Sequence, residues 1–146
     1  MSPDARVCVV TGASRGIGRG IALALCEAGH TVYITGRTLH ASDRKGAKGG
    51  SEFGSLAETA EECSARGGRC HAVQVDHNDD AQVEALFRRI DAEQGQGRLD
   101  LLVNNAFAGA VDGVKHGMMA TGQGWWDKPL KLWEQNFGVG LVRRHV

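Results

Sequence analysis

Three closely spaced glycines carry the clearest chemical signal in this chain. They belong to the run Thr11-Gly12-Ala13-Ser14-Arg15-Gly16-Ile17-Gly18, which follows an apolar β-type run and opens a helical pattern. Gly12 permits a tight turn, Gly16 lets the backbone approach a bound group, and Gly18 lets the helix pack close to a sheet. Because a helix N-terminus presents free amides and about half a positive charge, the run predicts a pyrophosphate site. A glycine-rich turn without a ligand is the alternative, and the strand-turn-helix context argues against it.

Two arginines could extend this site toward a further phosphate. Arg15 lies inside the glycine run, and Arg37 follows the second β-type run, where an acidic residue would bind the ribose 2′-hydroxyl of NAD. Two guanidiniums that face one pocket suit a 2′-phosphate, since each charge-assisted hydrogen bond contributes about 1.5–3 kcal/mol. The sequence therefore predicts NADP(H) in preference to NAD(H). A solvated Arg37 is the alternative.

The elements that must position these residues alternate along the chain. Short β-branched or apolar runs predict four strands, at Val7–Thr11, Thr31–Thr35, Arg69–Asp76 and Leu99–Asn104. Helical patterns predict helices at Gly16–Ala28 and Leu56–Arg66, and a third that Asn78 or Asp79 caps and that carries an apolar stripe of Val83, Leu86, Phe87 and Ile90. Such alternation predicts right-handed βαβ units and an α/β fold, a Rossmann-like doubly wound parallel sheet in three αβα layers.

Two segments depart from this alternation. His40–Ser55 is rich in Gly, Ser, Lys and Arg, and we expect an exposed, mobile loop there. Beyond the fourth strand, residues 108–124 read as a loop, and a last helix is expected from about Pro129. Trp125-Trp126 could cover a substrate pocket, although packing of a helix onto the core is the more common use of such aromatics.

The glycine run resembles the TGxxxGxG motif of the short-chain dehydrogenase/reductase family. Asn104-Asn105-Ala106 is similar to that family's NNAG element, Asp76 stands where the family uses an Asp against the adenine ring, and Asn136 stands where it has a catalytic Asn. The resemblance implies hydride transfer between a nicotinamide and a small-molecule carbonyl or alcohol. It also implies the cofactor-binding residues Gly12, Ser14, Arg15, Gly16, Ile17, Gly18, Arg37, Asp76, Asn104 and Ala106. Phe107, in place of the family's usual Gly, and the long His40–Ser55 segment depart from the pattern.

The rest of the family's catalytic set has no counterpart in this sequence. Family members use a Ser and a Tyr-x-x-x-Lys pair, in which the cation brings the phenol, whose pKa is ordinarily near 10, into a working range. The sole tyrosine, Tyr33, belongs to the second strand, and Arg37 rather than a lysine stands four positions later. The chain also stops at Val146, before the fifth and sixth strands of such a fold. We therefore expect a C-terminally truncated, cofactor-binding half that is inactive alone, and an exposed fourth strand prone to association. A non-catalytic nucleotide-binding or interaction module is the alternative.

Length, composition and charge exclude several classes of function for this chain. A chain of 146 residues suits one domain over residues 1–146, and a net charge of +0 argues against binding to nucleic acid or an anionic membrane. With no signal segment or apolar run of membrane-spanning length, the expected location is cytoplasmic. The four cysteines lack CxxC spacing and the six histidines are scattered, which predicts buried reduced thiols and no metal site. The family resemblance is compatible with a homo-oligomer.

Overall fold

The computed structural model describes residues 5–45, 54–107 and 138–139. The chain divides into two compact units, Met1–Ala106 and Phe107–Val146, and the fold described below is that of the first. Asn136, the Trp125-Trp126 pair, the loop at 108–124 and the helix expected from Pro129 lie outside the described residues.

Four parallel strands form the centre of the first unit. They are β1 (Val7–Thr11), β2 (Thr31–Gly36), β3 (Arg69–Gln74) and β4 (Leu101–Val103), in the order β3-β2-β1-β4. β1 pairs with β2 from Val7 opposite Thr31 onward, and with β4 from Cys8 opposite Leu101 onward. The chain passes from β1 outward to β2 and β3 and then crosses to the other side of β1 to add β4, so the order reverses between β1 and β4. The expected doubly wound parallel arrangement is confirmed for these strands.

Helices cover both faces of the sheet. They are α1 (Gly16–Glu27), α2 (Leu56–Ala65) and α3 (Asp80–Gln94), and a short 3₁₀ helix spans Ala41–Lys45. Because side chains alternate along a strand, β1 contributes to both faces. One core contains Cys8 and Val10 of β1 together with buried residues of α1 and α2, and the other contains Val7 and Val9 with Val83, Leu86 and Ile90 of α3. The three layers predicted from the sequence are therefore confirmed.

Helix ends follow their local sequence. Ser55 and Glu58 form a reciprocal capping box at the start of α2, and the Asp79 side chain accepts hydrogen bonds from the amides of Ala81 and Gln82 at the start of α3. Gly29 and Gly67 follow the ends of α1 and α2 with φ of 82° and 90°. These left-handed conformations, which glycine adopts without steric cost, end both helices. No helix in the described ranges is both long and apolar enough to cross a bilayer.

Several predicted boundaries need correction. α1 ends at Glu27 rather than Ala28, α2 ends at Ala65 rather than Arg66, and β2 extends one residue further, to Gly36. β3 ends at Gln74 rather than Asp76, and β4 covers only Leu101–Val103 of the expected Leu99–Asn104. Strand pairing sets these limits: β3 follows β2 only as far as the pair Gly36 and Gln74, and β4 pairs with only three residues of β1.

The segment His40–Ser55, expected to be an exposed loop, is exposed at His40 and Ser42 but begins with a 3₁₀ helix and ends at a buried residue, while residues 46–53 lie outside the described ranges. Near its beginning, the Asp43 carboxylate accepts a hydrogen bond from the His40 amide, inside the 3₁₀ helix and its entry. At its end, Ser55 is completely buried as the N-cap of α2. Short polar side chains that satisfy nearby backbone groups order both ends without large apolar residues.

Candidate functional site

The glycine run forms the turn from the carboxyl end of β1 into α1. Gly12 and Gly16 have φ of 69° and 57°, which non-glycine residues rarely adopt. The turn is tied to the neighbouring strand, because the Ala13 amide donates to the Thr35 carbonyl oxygen of β2 at 2.9 Å. Beyond Ala13 the turn faces outward, since Arg15, Gly16 and Ile17 are exposed.

The N-terminus of α1 differs from those of the other two helices of the unit. Its N-cap residue, Arg15, makes no side-chain capping hydrogen bond, and its first turn contains no acidic residue. By contrast, Ser55 and Asp79 cap α2 and α3 with their side chains. First-turn amides of α1 are therefore not satisfied by a side-chain cap, and the helix dipole favours an anion at this position.

Gly18 allows α1 to approach the turn closely. A Cβ atom at this position would collide with the Asn105 side chain and would lie 2.6 Å from the Gly12 carbonyl oxygen. At Gly12, an added Cβ would lie 2.9 Å from the Cα atom of Ala106. Close packing thus requires glycine at Gly12 and Gly18, and the neighbouring atoms belong to the turn itself and to Asn105 and Ala106, which follow β4.

A set of hydrogen bonds holds the residues after β4 against the turn. The Thr11 hydroxyl accepts from the amides of Asn105 and Ala106 at 2.9 and 2.8 Å, and donates to the Val103 carbonyl oxygen at 3.3 Å. The Asn105 side-chain amide donates to the carbonyl oxygens of Thr11 and Gly12, at 2.8 and 3.1 Å. Asn105 and Thr11 therefore position the site, although sequence reasoning selected neither as a site residue. Their presence in the TGxxxGxG and NNA motifs was the available signal.

The other predicted cofactor residues follow the carboxyl ends of the strands. Arg37 comes directly after β2 and is exposed, and its backbone oxygen accepts from the Gln74 side chain at 2.8 Å. Asn104 directly follows β4 and is also exposed. Asp76 lies two residues beyond β3, and its Oδ1 accepts from the backbone and side-chain amides of Asn78. Since all four strands are parallel, these residues share the sheet edge on which the glycine turn lies.

The charges near the turn differ in their pairing. Arg19, in the first turns of α1, forms an ion pair with Glu62 of α2, which also binds Arg66 at 2.8 Å. These two guanidiniums hold the pKa of the Glu62 carboxyl below its usual value. In contrast, neither Arg15 nor Arg37 forms an ion pair with another residue that the structure describes.

The segment before α2 contacts the glycine turn, which the sequence did not indicate. A Cβ atom on Gly54, where φ is 82°, would collide with the Ser14 carbonyl oxygen and lie 2.9 Å from the Cβ of Arg15. The buried Thr59 hydroxyl donates to the Ala13 carbonyl oxygen at 3.1 Å. The predicted start of α2 at Leu56 is correct, and the capping-box pattern Ser55-x-x-Glu58 marks it, but neither indicates a contact with the turn.

Tyr33 is part of the core rather than of the site. It is fully buried in β2, where its hydroxyl donates to the Glu93 carboxylate at 2.6 Å and accepts from the Gln94 side chain at 2.8 Å. Burial, together with the bond to Glu93, raises the pKa of the phenol. The environment of this tyrosine therefore opposes the lowered pKa that a general base requires.

Comparison with known proteins agrees with this geometry. Residues 6–127 match the family model described as short chain dehydrogenase. The chain is 47% identical over 136 residues to dehydrogenase/reductase SDR family member 1 of Mus musculus, and 45% identical over 138 residues to the protein of the same name from Homo sapiens. These matches cover 93% and 94% of this chain but only 37% and 38% of the two relatives.

A solved structure shares the fold. A short-chain type dehydrogenase/reductase from Mycobacterium marinum superposes with a TM-score of 0.67 at 25% sequence identity. The superposition covers 94% of this chain and 45% of that one. The chain thus spans less than half the length of each of these three relatives.

Proposed function

Because the chain belongs to the short-chain dehydrogenase family, we propose that it binds NADP(H) in preference to NAD(H). In this proposal it supplies the cofactor-holding part of an oxidoreductase that acts on a small-molecule carbonyl or alcohol. The supporting observation is the N-terminus of α1, which has no side-chain cap and lies at the carboxyl edge of a parallel sheet. Gly12 and Gly18 allow the turn and the helix to pack closely there.

The residues present suit a dinucleotide. The turn formed by Gly12, Ser14, Arg15, Gly16, Ile17 and Gly18 would hold the pyrophosphate, with the first-turn amides of α1 as donors. Asp76 would lie against the adenine, and Asn104 with Ala106 would line the adenosine ribose region. When bound, the nicotinamide supplies or accepts the hydride, and the protein supplies orientation and electrostatics.

The preference for NADP(H) rests on Arg37 and Arg15. Arg15 lies in the glycine turn and Arg37 directly follows β2, both at the carboxyl edge of the sheet. Neither forms an ion pair with a carboxylate that the structure describes. No acidic residue directly follows β2, where it would accept from a ribose 2′-hydroxyl and repel a 2′-phosphate. Arg37 would therefore bind the 2′-phosphate through charge-assisted hydrogen bonds.

The sequence contains one candidate for the family's catalytic groups. Asn136 would occupy the position of the family's catalytic Asn, and the Ser and Tyr-x-x-x-Lys groups have no counterpart among the 146 residues. We therefore propose that this chain alone binds cofactor without turning over a substrate. A non-catalytic nucleotide-binding or interaction module is the second candidate, and the same absence of a Tyr-Lys pair favours it.

A binding titration with a matched pair of variants tests the site. Gly16→Asp places a carboxylate at the proposed pyrophosphate position, while Gly67→Asp places the same group at another open glycine of positive φ, after α2. We expect NADPH to raise the melting temperature of the wild-type chain and of Gly67→Asp but not of Gly16→Asp. If neither NADPH nor NADH changes the melting temperature or fluorescence of folded wild-type protein at millimolar concentration, the proposed site is wrong.

An activity assay separates the two candidate functions. NADPH oxidation is followed across a panel of aldehydes and ketones, with the same protein preparation that binds the cofactor. Binding without oxidation supports a chain that holds cofactor only. Turnover of any carbonyl compound would contradict the expected inactivity of the isolated chain and would favour a complete enzyme.

A further inference from the structure

Three cysteines from three different elements meet beside the sheet, away in sequence from the glycine turn. They are Cys26 of α1, Cys63 of α2 and Cys70 of β3, and their Sγ atoms all lie within 4.8 Å of one another. All three are free thiols. Cys26 and Cys63 are completely buried and Cys70 is half-buried, so the cluster has one partly accessible member.

The close approach of these elements depends on the turn between α2 and β3. A Cβ atom at Gly68 would lie 2.5 Å from the Cα and the carbonyl oxygen of Cys26. Only glycine at this position lets the chain leave α2, pass the end of α1 and enter β3 with Cys70 as its second residue. The convergence of the three sulfurs is thus built into the fold, although their sequence spacing gave no sign of it.

The number and kind of ligands restrict what could bind. Sulfur ligands select soft ions. No further His, Cys, Asp or Glu within the described part of the chain joins the three sulfurs, whereas structural zinc takes four ligands. Bonds of about 2.3 Å from three sulfurs to a common centre separate the sulfurs by about 4 Å if the centre is planar and by about 3.3 Å if it is pyramidal, so the three sulfurs would move closer together on binding. The arrangement suits an ion that accepts three sulfurs.

Charge then distinguishes among soft ions. Three thiolates around Cu(I) or Zn(II) leave a net negative charge in a buried place, which is costly without a cationic partner. A trivalent ion with three thiolates is neutral. It therefore satisfies both the ligand count and the burial.

We propose that Cys26, Cys63 and Cys70 form a three-sulfur binding site for a trivalent thiophilic ion of the arsenite class. Arsenous acid would exchange its three hydroxyl groups for three sulfurs. Three As–S bonds form as three As–O bonds break, and each thiol proton leaves in a water molecule. Arsenic remains trivalent throughout, so no oxidant or reductant is needed.

Native mass spectrometry of the full chain with sodium arsenite tests the site. We expect one adduct, with a mass gain of one arsenic atom less three hydrogens. A two-sulfur adduct would instead retain one hydroxyl group and differ in mass. We also expect arsenite to raise the melting temperature, because the adduct links α1, α2 and β3.

Alanine variants identify the ligands. Cys26→Ala and Cys63→Ala should each lose the three-sulfur adduct and its thermal shift. Cys8→Ala is the matched control, since Cys8 is equally buried but lies outside the cluster, and it should keep both. Circular dichroism checks that each variant is folded, and the wild-type adduct mass tests the site even if a variant is not.

Zinc and Cu(I) salts provide the competing arms under the same conditions. Tighter binding of arsenite than of either metal supports the charge argument. An adduct that retains a hydroxyl group, an adduct that persists in Cys63→Ala, or binding of zinc without binding of arsenite would each overturn the proposal.

Discussion

Among single side chains, Thr11 has the most demanding position in the candidate site. Its hydroxyl is buried and uses its whole hydrogen-bonding capacity, one donated and two accepted bonds, on the three residues Val103, Asn105 and Ala106. These bonds link the first strand of the sheet to the segment that follows the last described one. The position of Asn104 and Ala106 relative to the glycine turn therefore depends on this hydroxyl together with the Asn105 side chain, which donates to the carbonyl oxygens of Thr11 and Gly12.

Replacing the Thr11 hydroxyl should lower the stability of the protein. Thr11→Val preserves shape but leaves the Ala106 amide without this acceptor and the Asn105 amide with the Val103 carbonyl oxygen at 3.1 Å, and we expect a loss of about 1–3 kcal/mol in the free energy of unfolding. Thr11→Ser keeps the hydroxyl and should lose less. Urea denaturation of the three proteins measures the difference. Equal stability of the valine and serine variants would show that the hydroxyl bonds contribute nothing.

Arg37 determines the proposed cofactor preference. Arg37→Asp removes a cation and adds an acceptor for a ribose 2′-hydroxyl, so the ratio of the NADPH and NADH dissociation constants should shift toward NADH by about tenfold to a hundredfold. Arg69→Asp makes the same charge change at an exposed position at the amino end of β3 and should leave the ratio unaltered. Fluorescence titrations with both cofactors provide the measurement. An unchanged ratio in Arg37→Asp would contradict the proposal that Arg37 determines a preference for NADP(H).

Two of the three glycines in helix α1, Gly18 and Gly20, have opposite surroundings, so their replacement separates the effect of packing from that of helix propensity. Gly18→Ala forces a methyl group against the Gly12 carbonyl oxygen and Asn105, and should destabilise the protein by about 1–3 kcal/mol. Gly20→Ala meets no atom within 4 Å and should stabilise it by about 0.5–1 kcal/mol, as alanine favours helix. Thermal denaturation of both variants checks the signs. A stabilised Gly18→Ala would contradict the close approach of α1 to the turn.

The elements that the sequence predicts well are those with strong local patterns. The apolar run of β1, the stripe on α3 and the Asp79 cap depend on neighbouring residues, and their pattern was visible without tertiary information. The length of β4 was not, because it depends on pairing with β1 across 93 positions, as between Cys8 and Leu101. The bond between the Thr35 hydroxyl and the buried His77 ring, at 2.7 Å, likewise joins segments distant in sequence.

In the candidate site, too, some residues could be predicted from the local sequence and others could not. Its glycines could be predicted because a tight turn and a helix start impose local requirements that only glycine meets. The roles of Thr11 and Asn105 are contacts across the sheet, and the approach of Gly54 to Ser14 follows a segment of unusual length. Spacing along the chain contains little information on such contacts. The assignment of Asn136 stays a prediction.

The stability of the whole protein should depend on pH through a cluster on the α3 side of the sheet. The His71 ring stacks on Tyr33 with centroids 4.6 Å apart, and Tyr33 donates to Glu93. Burial lowers the pKa of His71 from 6.5, and the Tyr33 hydroxyl, together with Arg89, lowers the pKa of Glu93 from 4.5. In both cases the folded protein resists protonation more than the unfolded chain does.

The direction of this pH dependence follows from the binding of protons to the folded and unfolded states. Where a folded-state pKa is lowered, the unfolded chain binds more protons and stability rises with pH. We expect the free energy of unfolding to fall as pH decreases below about 6.5, through His71, and again below about 4.5, through Glu93. Urea midpoints between about pH 2 and 8 measure both losses. His71→Phe should remove the upper part of the loss and Glu93→Gln the lower part, while a flat profile in the wild-type protein would contradict the assignment.

The bond from the Ala106 amide to the Thr11 hydroxyl spans 95 positions of the chain and has a consequence for biosynthesis. At about 5–20 residues per second, a ribosome needs roughly 5 to 20 seconds after adding Thr11 before it adds Ala106. During that interval β1, α1 and β2 have been synthesised, but the partners that fix the glycine turn have not. A nascent polypeptide paused before Asn105 should therefore fail to retain coenzyme, and capture of the nucleotide should begin only after the segment following β4 has emerged from the exit tunnel.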